Sequence, residues 1–122
     1  MNSGFNISSR LRSFAYAFKG LRFMLSKQYN FYIHIALAII ALVLAYYFSI
    51  SKTELLWIVA AIGIVLSAEI FNTAIEQLTD LIQPEQDPKA GIIKDLAAGA
   101  VLLSATTALI IGLIIFVPYL LK

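Results

Sequence analysis

Apolar and polar positions alternate at more than one period along this chain. Between Ser9 and Ser26, Leu11, Phe14, Ala15, Phe18, Leu21, Arg22 and Leu25 recur at helical spacing, with Arg12, Lys19 and Lys27 elsewhere. That stretch is too short and too charged to cross a bilayer. It predicts an amphipathic helix over about 9–26 in the headgroup plane, its basic residues meeting anionic lipid, as an anchor or as a cover for a site. Three almost unbroken apolar runs follow, Phe31 to Ser49, Leu55 to about Ile75, and one within Ile92 to Leu121. Each has the roughly 20 residues needed to span about 30 Å of hydrocarbon.

The breaks between these runs carry their own signals. Tyr46, Tyr47 and Phe48 resemble an interfacial aromatic belt, and Ser51-Lys52-Thr53-Glu54 has the form of a capping box, with Trp57 anchoring the start. The second helix is therefore expected over 53–82, continuing past the membrane boundary. Two prolines in Gln83-Pro84-Glu85-Gln86-Asp87-Pro88-Lys89 end it, and a third helix is expected over 90–121. Gly91, Asp95 and Gly99, like Ala90, Lys94 and Ala98, are four apart, a spacing of small residues that lets membrane helices approach closely. Thr106, Thr107, Gly112 and Pro118 are read as packing positions and the helix end. The expected fold is all-α, one domain over residues 1–122, with helices near 9–26, 31–49, 53–82 and 90–121.

Composition agrees with the pattern. Of 122 residues 61% are hydrophobic and 13% charged, and the mean hydropathy is +0.87. There is no cysteine, which excludes disulfide and thiol chemistry. Met1 to Asn30 lacks the apolar core and cleavage site of a signal peptide. The net charge of +2 matters less than its placement. Arg10, Arg12, Lys19, Arg22 and Lys27 precede the first run and Lys89 and Lys94 follow the second, whereas the intervening loop has only Lys52. The positive-inside rule then puts the N-terminus and the 83–95 loop in the cytoplasm.

One stripe breaks the apolar pattern. At 100° per residue Glu69, Asn72, Thr73, Glu76 and Asp80 fall within about 100° of arc. Glu69 is expected ~9 Å below the cytoplasmic boundary, while Glu76 and Asp80 emerge from it. An unpaired charge at membrane depth costs at least ~2.5 kcal/mol, so such a stripe signals function. Phosphoryl transfer suits the set: Glu69 as a desolvated base, Glu76 and Asp80 as hard oxygen ligands for Mg²⁺, Lys94 as the cation on phosphate, and Asn72 as a hydrogen-bonding partner. No Walker-type loop and no protein-kinase signature is present. A proton-coupled transporter using Glu69, or a helical oligomer held by these groups, would carry the same stripe. Three helices cannot enclose it, so a homo-oligomer is expected. His34, the sole histidine, is read as a hydrogen-bonding residue rather than a metal ligand.

Glu69-x-x-Asn72-Thr73-Ala74-Ile75-Glu76-x-x-x-Asp80, followed by Lys94-Asp95 and Ala97-Ala98-Gly99-Ala100-Val101, resembles the small integral-membrane prokaryotic diacylglycerol kinases, which include undecaprenol kinases. The likeness runs from Ser13-Phe14 and Lys19-Gly20 through Asn30-Phe31 and His34 to Gly112-Leu113-Ile114-Ile115-Phe116. It implies a homotrimer in the cytoplasmic membrane, each protomer with a surface helix and three spans, that transfers phosphate from MgATP to a lipid alcohol. The resemblance implies Glu69 as base and Glu76 as metal ligand. It implies nucleotide contacts from Tyr16, Asn72, Glu85, Asp87, Lys94 and Asp95, beside Glu76 and Asp80, whose depth already points them to a soluble phosphorylated partner, and lipid contacts from Glu69 and Arg10. Gln28 stands where the family usually has a second metal-binding glutamate, and the family's N-terminal arginine is offset to Arg10. Asn30-Phe31-x-x-His34 and the tail from Gly112 to Pro118 look more like the undecaprenol-phosphorylating branch. Both undecaprenol and diacylglycerol remain open as substrates, and nucleic acid is not an expected partner.

Overall fold

The computed structural model describes residues 4–122; the first three residues of the N-terminal stretch lie outside the described residues. It contains four helices, α1 (Ile7–Lys27), α2 (Tyr29–Tyr47), α3 (Lys52–Ile82) and α4 (Pro88–Leu120). Three of them, α2, α3 and α4, are long and apolar enough to cross a membrane. At 1.5 Å per residue α2 is about 28 Å long, whereas α3 and α4 reach about 46 and 50 Å and must project beyond the hydrocarbon.

Local chemistry sets each helix end. Asn6 caps α1 by accepting from the Ser8 N–H at 2.9 Å, which starts that helix two residues before Ser9. A single residue, Gln28, separates α1 from α2 in an extended conformation. Its N–H donates to the Met24 carbonyl, and the Tyr32 hydroxyl donates to the Leu25 carbonyl, so the corner is tied on both sides. Helix α2 stops at Tyr47 in a Schellman motif: Ser49 has φ 51, its N–H donates to Tyr46, and the Ile50 N–H reaches back to Ala45. The expected capping box opens α3, with Glu54 N–H to Ser51 Oγ at 3.1 Å and Ser51 N–H to Glu54 Oε1 at 3.0 Å.

At its start α4 differs from expectation. It begins at Pro88 rather than Ala90, because the Asp87 carboxylate accepts from the Lys89 N–H at 2.8 Å and proline suits the first helical position. It runs past Pro118 to Leu120, close to the expected end, with Pro118 giving up one backbone hydrogen bond in the last turn.

The most extensive packing is between α3 and α4, followed by α2 on α3, while α1 packs mainly on α2. On α4 the covered positions Ala90, Lys94, Ala97, Val101, Ser104, Ala108, Ile111 and Ile115 advance by four and three alternately. On α3 the same steps connect Glu54, Ile58, Ala61, Val65, Ala68, Asn72, Ile75 and Thr79. This seven-residue repeat is the seam of a coiled-coil-like pair.

The expectation that Gly91 and Gly99 mediate close helix approach is not met within the chain. Both are exposed, and a Cβ added at either would meet nothing within 4 Å. Gly91 is one position round the helix from the seam and Gly99 is on the face opposite it, whereas Ala90 and Lys94 of the second row lie on the seam and Ala97 takes the buried place.

The tightest apolar cluster is at the end opposite the 83–87 loop, where Ala45, Ile58, Ile115 and Phe116 meet under Phe48, Ile50 and Tyr119. Phe48 lies 5.6 Å from Tyr119 and 6.3 Å from Phe116 between ring centroids, which brings α2 against α4 there. Tyr119 also donates to Glu54 Oε1 at 2.6 Å, tying the end of α4 to the start of α3. Among the described residues only nine apolar side chains are buried, and large ones such as Leu56, Phe71, Leu96 and Leu103 are open. A core this thin needs lipid or further protein against the helices.

Candidate active site

Burial along the polar stripe of α3 falls towards the 83–87 loop. Glu69 is 5% exposed and Thr73 4%, Asn72 and Glu76 are half-buried, and Asp80 is open. The helix is unbroken through all five. At the turn of Asp80 the buried side is taken by Thr79, whose hydroxyl donates to the Ile75 carbonyl at 2.7 Å.

Each acid has a different partner. Glu69 Oε1 lies 3.0 Å from His34 Nε2, across from α3 to α2. Asn72 Nδ2 donates to Glu76 Oε1 at 3.1 Å, an i to i+4 contact within α3. Asp80 pairs with Lys94 Nζ at 2.5 Å, across to α4. Three successive levels of one helix thus present a histidine-bound carboxylate, an amide-bound carboxylate and a lysine-bound carboxylate.

His34 is the site residue that sequence reasoning missed as such. The sequence carried a signal in the depths of the two residues. His34 lies in the second turn of the first apolar run and Glu69 about two turns before the end of the second, so an antiparallel hairpin brings them level.

A cavity of about 580 Å³ sits beneath the α3–α4 loop, and its lining includes Asp80, Glu85, Asp87, Gly91 and Lys94. Four residues expected to contact nucleotide are therefore gathered at one place. Three carboxylates and one ammonium leave this lining with a formal charge of −2. An anionic nucleotide needs a cation to approach it.

Beside it, a groove of about 620 Å³ runs along α3 from Ala60 to Ile75 against Ala97 and Ala100. Its lining is apolar except for Ser67 and Asn72, which suits an aliphatic chain or a neighbouring helix.

Other expected residues stand apart within one chain. Tyr16, 65% exposed, stacks under Lys19 Nζ at 5.5 Å, and Arg10 lies over the Phe5 ring at 5.7 Å. Asp95 is exposed on α4, one position off the Lys94 seam. Gln28 caps the α1–α2 corner.

Among the described residues no three His, Cys, Asp or Glu side chains cluster as a metal site. Magnesium does not need such a cluster, since it commonly takes one or two carboxylates plus substrate phosphates. Two features fit it. Asn72 Oδ1 is buried beside Glu76 without a hydrogen-bond partner, an acceptor left for a cation or ligand donor. Gln28 is six residues before His34 and Glu76 seven after Glu69, so the His34–Glu69 contact sets the two at nearly one level, within ~2 Å along the helices.

Known proteins resemble this chain over most of its length. The family described as prokaryotic diacylglycerol kinase matches residues 15–116. An undecaprenol kinase of Bacillus subtilis is 39% identical over 107 residues, covering 88% of this chain and 87% of that protein. A diacylglycerol kinase of Synechocystis sp. is 34% identical over 113 residues, 92% of this chain and 65% of that protein. The diacylglycerol kinase of Escherichia coli K12 is 27% identical over 100 residues, 82% of each chain. All three relatives are named as kinases, and nothing in the comparisons favours a transporter. The match takes in most of α1, the whole of α2 and α3 with the graded acidic stripe, and α4 as far as Phe116, and the chain belongs to the prokaryotic diacylglycerol kinase family.

Proposed function

We infer that this protein is an integral-membrane lipid kinase that transfers the γ-phosphoryl group of ATP to the hydroxyl of a membrane lipid alcohol. The observation that carries the reading is the burial gradient on α3, from a sequestered Glu69 to an open Asp80 beside the polar cavity. A lipid hydroxyl approaches from within the bilayer and a soluble nucleotide from outside it, and a single continuous helix serves both.

Glu69 is the base. Its carboxylate takes the hydroxyl proton as the alcohol oxygen attacks the γ-phosphorus in line, and the bond from that phosphorus to the β-phosphate oxygen breaks to leave ADP. Lys94 sits on transferred or neighbouring phosphate, released in part from Asp80, while Asn72, Asp95, Glu85, Asp87 and Tyr16 complete the nucleotide side. Glu76, assisted by the Gln28 carbonyl, would hold Mg²⁺, which supplies neutralisation of the phosphate oxygens against an otherwise negative lining.

Undecaprenol is the favoured lipid. Its support is the higher identity to the Bacillus subtilis undecaprenol kinase, together with Asn30-Phe31-x-x-His34. The chain is read as one domain in the cytoplasmic membrane, with α1 on the inner surface and the 83–95 loop in the cytoplasm. A homotrimer is supported by the thin core, by the open Gly91 and Gly99, and by Tyr16 and Arg10, which are exposed and meet Lys19 and Phe5 rather than the α3–α4 cavity.

Purified protein with γ-labelled ATP and Mg²⁺ should label undecaprenol in mixed micelles faster than dioleoylglycerol. Label on neither lipid ends the kinase reading; faster labelling of dioleoylglycerol ends the choice of undecaprenol only.

A further inference from the structure

Among the described residues one side chain hydrogen-bonds Glu69, and it is His34. Its Nε2 engages Oε1 alone. Asn72 Oδ1 is the sole buried side-chain acceptor without a partner there, so Glu69 Oε2 is neither hydrogen-bonded nor sealed off. One oxygen is held and the other is available.

Packing does not account for the pair. A buried polar pair is commonly replaced by apolar residues without loss of stability, and the residues flanking His34 along α2, Ile33 and Ile35, are apolar. The contact also joins two helices that share fewer contacts than α3 and α4 do, so it is one of the few polar links fixing α2 against α3.

We propose that His34 is a positioning residue for the phosphoryl-transfer base. The Nε2–H donor fixes the rotamer of Glu69 through Oε1 and aims Oε2 at the lipid hydroxyl. This rests on Glu69 being the base, as read above. In the transfer, the hydroxyl O–H bond breaks with its proton passing to Oε2, the oxygen bonds to the γ-phosphorus, and the leaving electron pair stays on ADP. The proton then leaves to water, and His34 keeps its own proton throughout.

The test measures label transfer to undecaprenol in mixed micelles by the full-length protein with MgATP, separating kcat from KM. His34→Phe keeps the ring shape and removes the donor. Its kcat should fall about 30-fold, equivalent to ~2 kcal/mol at 1.36 kcal/mol per tenfold, with KM for ATP within about twofold of wild type. His34→Gln restores a donor at similar reach and should keep kcat within about tenfold.

In a Glu69→Gln background, His34→Phe should cost nothing further, because the group it positions is gone. An unchanged kcat in His34→Phe overturns the proposal, as does an equal loss with and without Glu69. Should His34→Phe fail to fold, His34→Gln decides, and a loss beyond about tenfold overturns the donor role. A wild-type protein that labels no lipid alcohol removes the kinase reading and this proposal together. An active wild type with an active His34→Phe variant removes this proposal alone.

Discussion

Replacing Glu69 by glutamine separates its chemical role from its structural one. The amide has nearly the carboxylate's shape and can still accept from His34 Nε2 through its oxygen, so the 3.0 Å contact between α2 and α3 survives. Charge and basicity do not. General-base assistance is worth about 10²–10⁴ in rate, or ~2.7–5.4 kcal/mol, and that is the expected fall in kcat. Nucleotide binding should be largely spared, because the cavity that gathers Asp80, Glu85, Asp87 and Lys94 begins eleven residues, about 16 Å, further along α3, and Asn72 and Glu76 are untouched by the substitution. KM for ATP is therefore expected to stay within about threefold of wild type. Stability should not fall either, since a residue only 5% exposed loses an expensive buried charge while keeping a hydrogen bond.

Initial rates of label transfer over a range of ATP concentrations, with thermal unfolding in the same detergent, supply all three quantities. A kcat within tenfold of wild type would show that Glu69 is not the base. A lost transfer accompanied by a lowered Tm or a dissociated oligomer would show the pair to be structural.

Three further outcomes are expected. Lys94→Met takes the lone cation from a cavity lining that already carries three carboxylates, so KM for ATP should rise at least about tenfold while Tm stays near wild type; the pair with Asp80 is solvent-exposed and contributes under ~1 kcal/mol. An unchanged ATP titration would place nucleotide elsewhere. Gln28→Glu adds a charged oxygen at the level of Glu76 and should lower the Mg²⁺ concentration for half-maximal activity; an unaltered Mg²⁺ titration removes residue 28 from the metal shell. Ser49→Gly relieves a left-handed φ of 51 at the Schellman position and should stabilise by about 1 kcal/mol, read as a raised Tm, with no change in activity. A lowered Tm would mean that the serine side chain contributes more than its backbone costs.

Much of this molecule follows from local rules that operate along the chain. Long apolar runs make membrane-crossing helices wherever they occur. Ser51 and Glu54 cap α3 through atoms three residues apart, and a helical repeat of 100° suffices to put Glu69, Asn72, Glu76 and Asp80 on one side. Asp80 meets Lys94 because a short loop brings antiparallel neighbours into register near the turn.

Tertiary structure decided which partner each carboxylate takes and which face is inward. His34 meets Glu69 only because α2 and α3 pack at one particular rotation, and helical periodicity is silent on rotation between helices. Gly91 and Gly99 read as contact positions by spacing, yet the seam chose Ala97 and Val101. An i to i+4 row of small residues identifies a face that permits close approach, whereas the seven-residue repeat of covered positions on both helices identifies the face that is used. Side chains near in sequence are positioned by backbone geometry that each residue carries with it. Those distant in sequence meet only after the packing of whole helices has been settled, a sum over many weak contacts that no single stretch of residues contains.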